Sequence, residues 1–166
     1  MNYTVPLDTA EENRRMGRLA ITSHLDHRLM VLEWACNLEE SCARLLFSFF
    51  KTCNCHQSWD EATDDLFGEN KMLSSLTRMT KLASYLNLLE VDEVSDLRIF
   101  ARLRNMYAHN NSREQFYTDT ESSALVKKLV LYRNSPSLQT HDAQGIYLSC
   151  AKFLKQRIDS RAKALS

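Results

Sequence analysis

Apolar residues recur three or four positions apart over most of this chain, and hardly anywhere do they alternate with polar ones. From 21 to 50, Leu25, Leu29, Leu32, Cys36 and Leu38 are followed by Cys42, Leu45, Leu46 and Phe49. That spacing lays a stripe along one side of an α-helix, so the segment reads as one long helix, or two joined by a kink near Asn37. Ahead of it, Asp8 or Thr9 can cap a helix whose first turn carries Glu11 and Glu12, and residues 1–8 read as a loose arm. Leu73, Leu76, Leu82, Leu86 and Leu89 mark a second amphipathic stretch over 71–89. A third, 92–109, has Val94, Leu97, Phe100, Ala101 and Ala108 as its apolar face. Helices are also expected over 120–132 and 141–162, separated by the break Asn134-Ser135-Pro136-Ser137. The last carries Ile146, Cys150, Phe153, Leu154 and Ile158 inside. The polar run 51–65 reads as a connection holding at most a short turn of helix.

These patterns predict an all-α fold, a bundle of four to five main helices in a single domain over 1–166. Only three glycines and two prolines occur, which suits long helices with few tight turns. The length is sufficient for a substantial core. The formal net charge is zero. A nonspecific nucleic-acid binder usually carries a strong positive excess, so any contact with RNA has to be local. No apolar run is long enough to span a membrane, and the N-terminal stretch has early acids and no apolar core, unlike a secretory signal. Five cysteines, an odd number without framework spacing, point to reduced thiols and a cytoplasmic location.

The densest chemistry lies at Arg104-Asn105-Met106-Tyr107-Ala108-His109. Arginine can hold a phosphate by two parallel hydrogen bonds, and histidine can move a proton near neutral pH. On a regular helix Arg104 and His109 point about 140° apart, while Asn105 and His109 share a face. One helix therefore does not set Arg104 beside His109; a long Arg side chain, a loosened helix end or a second copy across a dimer axis could. Arg104 falls on the apolar side of the pattern. An unpaired buried charge is very costly, so Arg104 is expected either to meet an acid of the first long helix (Glu33, Glu39 or Glu40) or to face a shared cleft.

Residues 66–110 read LFGENKMLSSLTRMTKLASYLNLLEVDEVSDLRIFARLRNMYAHN. The LFG opening, the leucine/serine helix, the turn at Leu86-Asn87-Leu88-Leu89, the Asp96-Leu97 pair and the Arg-Asn-x-x-Ala-His ending resemble the middle of the mannitol operon repressor family, a branch of the HEPN superfamily of small helical bundles. The resemblance covers about 45 of the 166 residues. Asn70-Lys71-Met72 stands where that family has a Gly-Pro turn, and Asn87 replaces a glycine, so the loop shapes differ. In catalytic relatives the motif works in a dimer cleft. The resemblance then implies a metal-independent endoribonuclease, with His109 as general base or acid, Arg104 steadying the scissile phosphate and Asn105 beside them. The repressor branch implies something else: a protein that acts through a protein partner.

Other clusters add little. Cys53-Asn54-Cys55-His56 has the residue types that begin a zinc site, but no second pair completes it, because Cys36, Cys42 and Cys150 read as core positions on helices. His24 and His27 flank Asp26 on what reads as a solvated helix face. Lys152, Lys155, Arg157, Arg161 and Lys163 lie toward a helix C-terminus, where cations are favoured, and also offer a contact for RNA or an acidic protein. There is no Gly-rich phosphate loop, nucleophile elbow, paired catalytic carboxylate motif or distinct helix-turn-helix. No metal and no cofactor are expected. The sequence thus supports a non-enzymatic protein working by protein–protein contact, as an auxiliary transcriptional regulator or a toxin-neutralising partner, with homodimerisation open. The alternative is the endoribonuclease, which would bind RNA.

Overall fold

In the computed structural model, the described residues are 9–68, 70–109 and 120–166, with side chains from His27 onward apart from those of Gln139 and Thr140. Helix α1 (Thr9–Thr52) runs unbroken for 44 residues, with no interruption at Asn37. Its buried line is Val31, Ala35, Leu38, Cys42, Leu45 and Leu46. This corrects the Leu29–Leu32–Cys36 series: Leu29 is 54% exposed and Cys36 is exposed too. The physical reason is the small Ala35. It anchors the inward line, and Cys36, one residue on, is turned about 100° away. The Leu25 side chain and residues 1–8 lie outside the described residues.

Helix α2 (Trp59–Ala62) is opened by a reciprocal Ser58–Glu61 capping box and passes into a π-turn at Thr63–Phe67. Helix α3 (Leu76–Tyr85) is shorter than the expected 71–89 stretch. Ser75 caps it, and Glu39 of α1 accepts the Leu76 N–H at 3.1 Å. It ends where Asn87 takes a left-handed φ of 55°. Helix α4 (Val91–His109) carries the motif. The expected helix over 120–132 is two, α5 (Thr120–Val126) and α6 (Val130–Arg133). A 3₁₀ turn, Pro136–Thr140, leads to α7 (Ala143–Leu165), where Asp142 accepts the Gly145 N–H at 2.7 Å. The fold is all-α. Among the described residues there is no strand, four helices reach ten residues (α1, α3, α4 and α7), and no helix is long and apolar enough to cross a membrane.

Three contacts set the topology. His27 Nε2 meets Gln144 Oε1 at 2.9 Å, the Tyr147 hydroxyl donates to Val31 O at 3.1 Å, and Ser48 Oγ lies 3.1 Å from Ser166 Oγ. The sequence offset is nearly constant, so α1 and α7 run parallel. Helix α4 runs antiparallel to α1. Arg28 donates to Ala108 O at 3.2 Å at one end, while Cys42 feels the charge of Glu93 at the other. Leu38, Leu45, Leu97, Phe100, Leu103, Tyr147 and Ile158 join one fully buried cluster, with Phe100 and Tyr147 rings 4.9 Å apart. Burial pushes the Cys42 and Cys150 thiols up to about 12, so both stay protonated.

Two acids of α4 lie inside this apolar setting, each only 3% exposed. Glu93 Oε1 pairs with Arg157 Nε at 3.0 Å, and Oε2 pairs with Arg161. Glu93 also accepts the Glu90 N–H at 2.9 Å, capping its own helix. Arg161 reaches further, donating to Leu88 O at 3.2 Å. Asp96 accepts the Val130 N–H at 2.7 Å and the Leu131 N–H at 3.2 Å. It is therefore the cap of α6, whose own flanking residue Leu129 supplies none. That distant cap is why 120–132 breaks in two.

Removing one member of a buried pair leaves the other charge stranded. Glu93→Ala should cost about 3 kcal/mol in chemical denaturation. A cost under about 1 kcal/mol would mean that the two arginines find water as easily as they find Glu93.

Burial raises the Asp96 pKa above the ordinary 3.8, although the Val130 and Leu131 N–H groups pull it down. A raised folded-state value means that the group's contribution to stability is complete below 3.8 and is lost as pH rises through the higher folded value. The stability of the parent relative to Asp96→Asn should therefore fall between pH 3.8 and neutrality. Denaturant titrations across that window check the sign, and a difference that grows toward neutral pH would contradict it.

Candidate functional site

Helix α4 buries Glu93, Val94, Asp96, Leu97, Phe100, Ala101, Leu103 and Tyr107. The inward line thus passes through Leu103 and Tyr107. Arg104 and Ala108, expected on the apolar face, are only half-buried. The large side chains at 100, 103 and 107 outcompete the line through 104 and 108, which pairs a guanidinium with a small alanine.

Arg104 Nη1 donates to the neighbouring Asn105 Oδ1 at 3.3 Å, and among the described residues no acid pairs with it. The expected partners are engaged or turned outward. Glu39 holds the first N–H of α3, Glu40 pairs with Arg44 at 2.7 Å, and Glu33 is exposed. Half-buried, Arg104 keeps access to water and does not need an acid. It lies on the α1 side of α4. Burial and Glu39 push the Cys36 thiol pKa up, and the Arg104 charge opposes them.

Asn105 and His109 are both exposed. Arg98, Arg102, Asn105 and His109 follow one another at steps of four, three and four, so they form one outward row along α4. Asn105, Arg98 and Arg102 line a shallow cavity of about 440 Å³ against Thr77 of α3. Arg102 is held by Glu121 of α5 at 3.1 Å. The motif is thus divided. Asn105 and His109 stand in the outward row, whereas Arg104 leaves α4 on the side nearer Cys36 of α1 and its guanidinium is tied to Asn105. The helix itself does not bring Arg104 and His109 to one point. Arg98 and Arg102 were not among the sequence candidates, although their spacing from Asn105 marked the row.

The remaining candidates separate in the same way. Cys53 and His56 are exposed and Cys55 is half-buried, in a loop where Asn54 takes a φ of 63°. The Cys55 thiol lies 3.7 Å from Gln57 Oε1. His27 is bonded to Gln144, while the His24 and Asp26 side chains lie outside the described residues. Among the described residues no group of three His, Cys, Asp or Glu is placed to hold a metal. The C-terminal cations take different roles: Arg157 and Arg161 serve Glu93, and Lys155 pairs with Asp159 at 2.6 Å.

With no ion pair to lose, Arg104→Ala should change stability by no more than about 0.5 kcal/mol. Thermal unfolding checks this, and a loss above about 2 kcal/mol would mean that Arg104 holds a buried partner.

No protein-family model matches the chain, and no curated protein or solved structure is significantly similar to it.

Proposed function

We propose that the protein is a non-enzymatic, cytoplasmic binding protein that acts by contact with another protein. It would serve as an auxiliary transcriptional regulator of the kind the mannitol operon repressor resemblance implies, or as the neutralising partner of a toxin. The observation that carries this reading is the division of the motif on α4. Cleaving a phosphodiester needs the phosphate-holding cation and the proton-transfer group within reach of the same few atoms. The Arg104 guanidinium is tied to Asn105, and among the described residues no contact joins it to His109, one turn further along the outward row.

What α4 offers a partner is that row: two guanidinium groups, an amide and an imidazole on a rigid helix. These are donors suited to an acidic surface. The zero net charge of the chain makes such attraction local to this face. The endoribonuclease reading keeps one favourable observation. Asn105 and His109 are open on one side, where a second copy could present its own Arg104.

One set of assays separates the two readings. The purified protein is incubated with RNA, with and without chelator, beside His109→Ala. In parallel, protein partners retained by the parent are compared with those retained by the doubly reversed Arg98→Glu/Arg102→Glu variant. The expected outcome is no cleavage by either protein and loss of the partner in the reversed variant. Chelator-resistant cleavage leaving cyclic phosphate ends, absent in His109→Ala, would replace the binding reading with the endoribonuclease.

A further inference from the structure

The parallel pairing of α1 with α7 has a second consequence, away from the α4 motif. Along the C-terminal half of α1, Glu40, Ser41, Arg44, Phe47 and Ser48 share one side at helical spacing. They look across at Lys155, Asp159, Lys163 and Ser166 of α7. Between them lies a groove of about 520 Å³, within the size range of small-molecule sites. Trp59 closes one side. Its ring meets Phe47 edge-on at 5.3 Å, stacks on Phe67 at 5.9 Å, and carries the Arg44 guanidinium at 5.1 Å. No residue of α4 lines this groove.

We infer that this groove binds a small organic anion, with a carboxylate or phosphate monoester head on a compact apolar body. The argument is a balance of charge: Arg44, Lys155 and Lys163 face Glu40 and Asp159. Each acid in the lining is neutralised by one contact pair, Glu40 through Oε1 with Arg44 at 2.7 Å and Asp159 through Oδ2 with Lys155 at 2.6 Å, which leaves Lys163 as the excess charge. Arg44 uses Nε and Nη2 on a single Glu40 oxygen, so Nη1 is uncommitted. The ammonium of Lys155 has three N–H donors and spends one on Asp159. Lys163, at the rim, makes no ion pair among the described residues.

The floor holds the decisive group. Ser41 is 1% exposed, and its hydroxyl has no hydrogen-bond partner. Burial raises the Asp159 pKa, but Lys155 and then the Ser41 hydroxyl that faces it bring it below the ordinary carboxylate value. A buried hydroxyl left without a partner is unfavourable, and a ligand oxygen would satisfy it. The lining therefore carries one cation more than its acids neutralise, and that excess charge above the Ser41 hydroxyl favours an anion. A cation would be repelled by Lys163 and would find the charge of both acids already neutralised. Phe47, Ala162 and the edge of Trp59 supply the apolar wall for the body of the ligand. Stacking on Trp59 holds Arg44 in place before anything binds, which lowers the ordering cost of recognition.

The test uses the intact protein and two probes, benzoate and phenyl phosphate. NMR follows the indole N–H signals of Trp34 and Trp59, assigned with Trp34→Phe. The expected result is a saturable shift at Trp59, not at Trp34, with a Kd of about 1 mM or tighter for at least one probe. The tighter probe identifies the head group as carboxylate or phosphate. Lys163→Ala, at an exposed position that leaves the fold intact, and Ser41→Ala should each weaken binding by about fivefold or more. Lys128→Ala, an exposed cation outside the groove, should leave it unchanged. The inference is overturned if neither probe gives a saturable Trp59 shift, if Lys163→Ala binds as tightly as the parent, or if the cation phenethylamine binds better than both.

Discussion

A carboxylate withdrawn from water has to be met by donors, and α4 carries two of them one turn apart. Glu93 is met by Arg157 and Arg161, themselves one turn apart on α7, and by the N–H that starts its own helix. Asp96 is met by the first two N–H groups of α6. Apolar packing tolerates small slides and repacking. A paired buried charge does not, because misalignment strands it. The rotation of α7 about α4, the shape of the α3–α4 turn through Arg161 and Leu88, and the starting point of α6 therefore all follow from these two side chains.

Helical periodicity made the fold class legible, because the apolar residues are dense and breakers are few. The same density hid the registers. On α1 the Leu29–Leu32–Cys36 line and the Val31–Ala35–Leu38 line are both plausible stripes, and what decides between them is which one α7 can approach closely. On α4 the lines through Leu103–Tyr107 and through Arg104–Ala108 differ by a single position. The division of 120–132 into two helices was beyond local reasoning. Its cause is a carboxylate more than thirty residues upstream.

The candidate site was legible as a motif but not as a geometry. Arg104, Asn105 and His109 stand out by residue type, and ideal helix angles already separated the arginine from the histidine. The structure adds the company each one keeps. Arg104 is placed with Asn105 and α1, and His109 falls in line with Arg98, Arg102 and Asn105. The groove between α1 and α7 left no trace in the sequence, because its two walls are more than a hundred residues apart and each reads alone as an ordinary solvated helix face.

Parallel helices joined by so long a connection also impose an order on folding. The α1–α7 contact is the most extensive in the bundle, and its partners lie about 117 residues apart. A helical hairpin closes a short loop and forms early. This interface closes a very long one, so its loop-closure entropy weighs against it until the intervening helices have docked. During synthesis α1 emerges first and α7 last, and the Val31–Leu46 stripe has to wait, covered only by α3 and α4. The bundle is local in its helices and non-local in its closure. For an all-helical chain, that places the docking of α7 among the steps with the largest loop-closure cost.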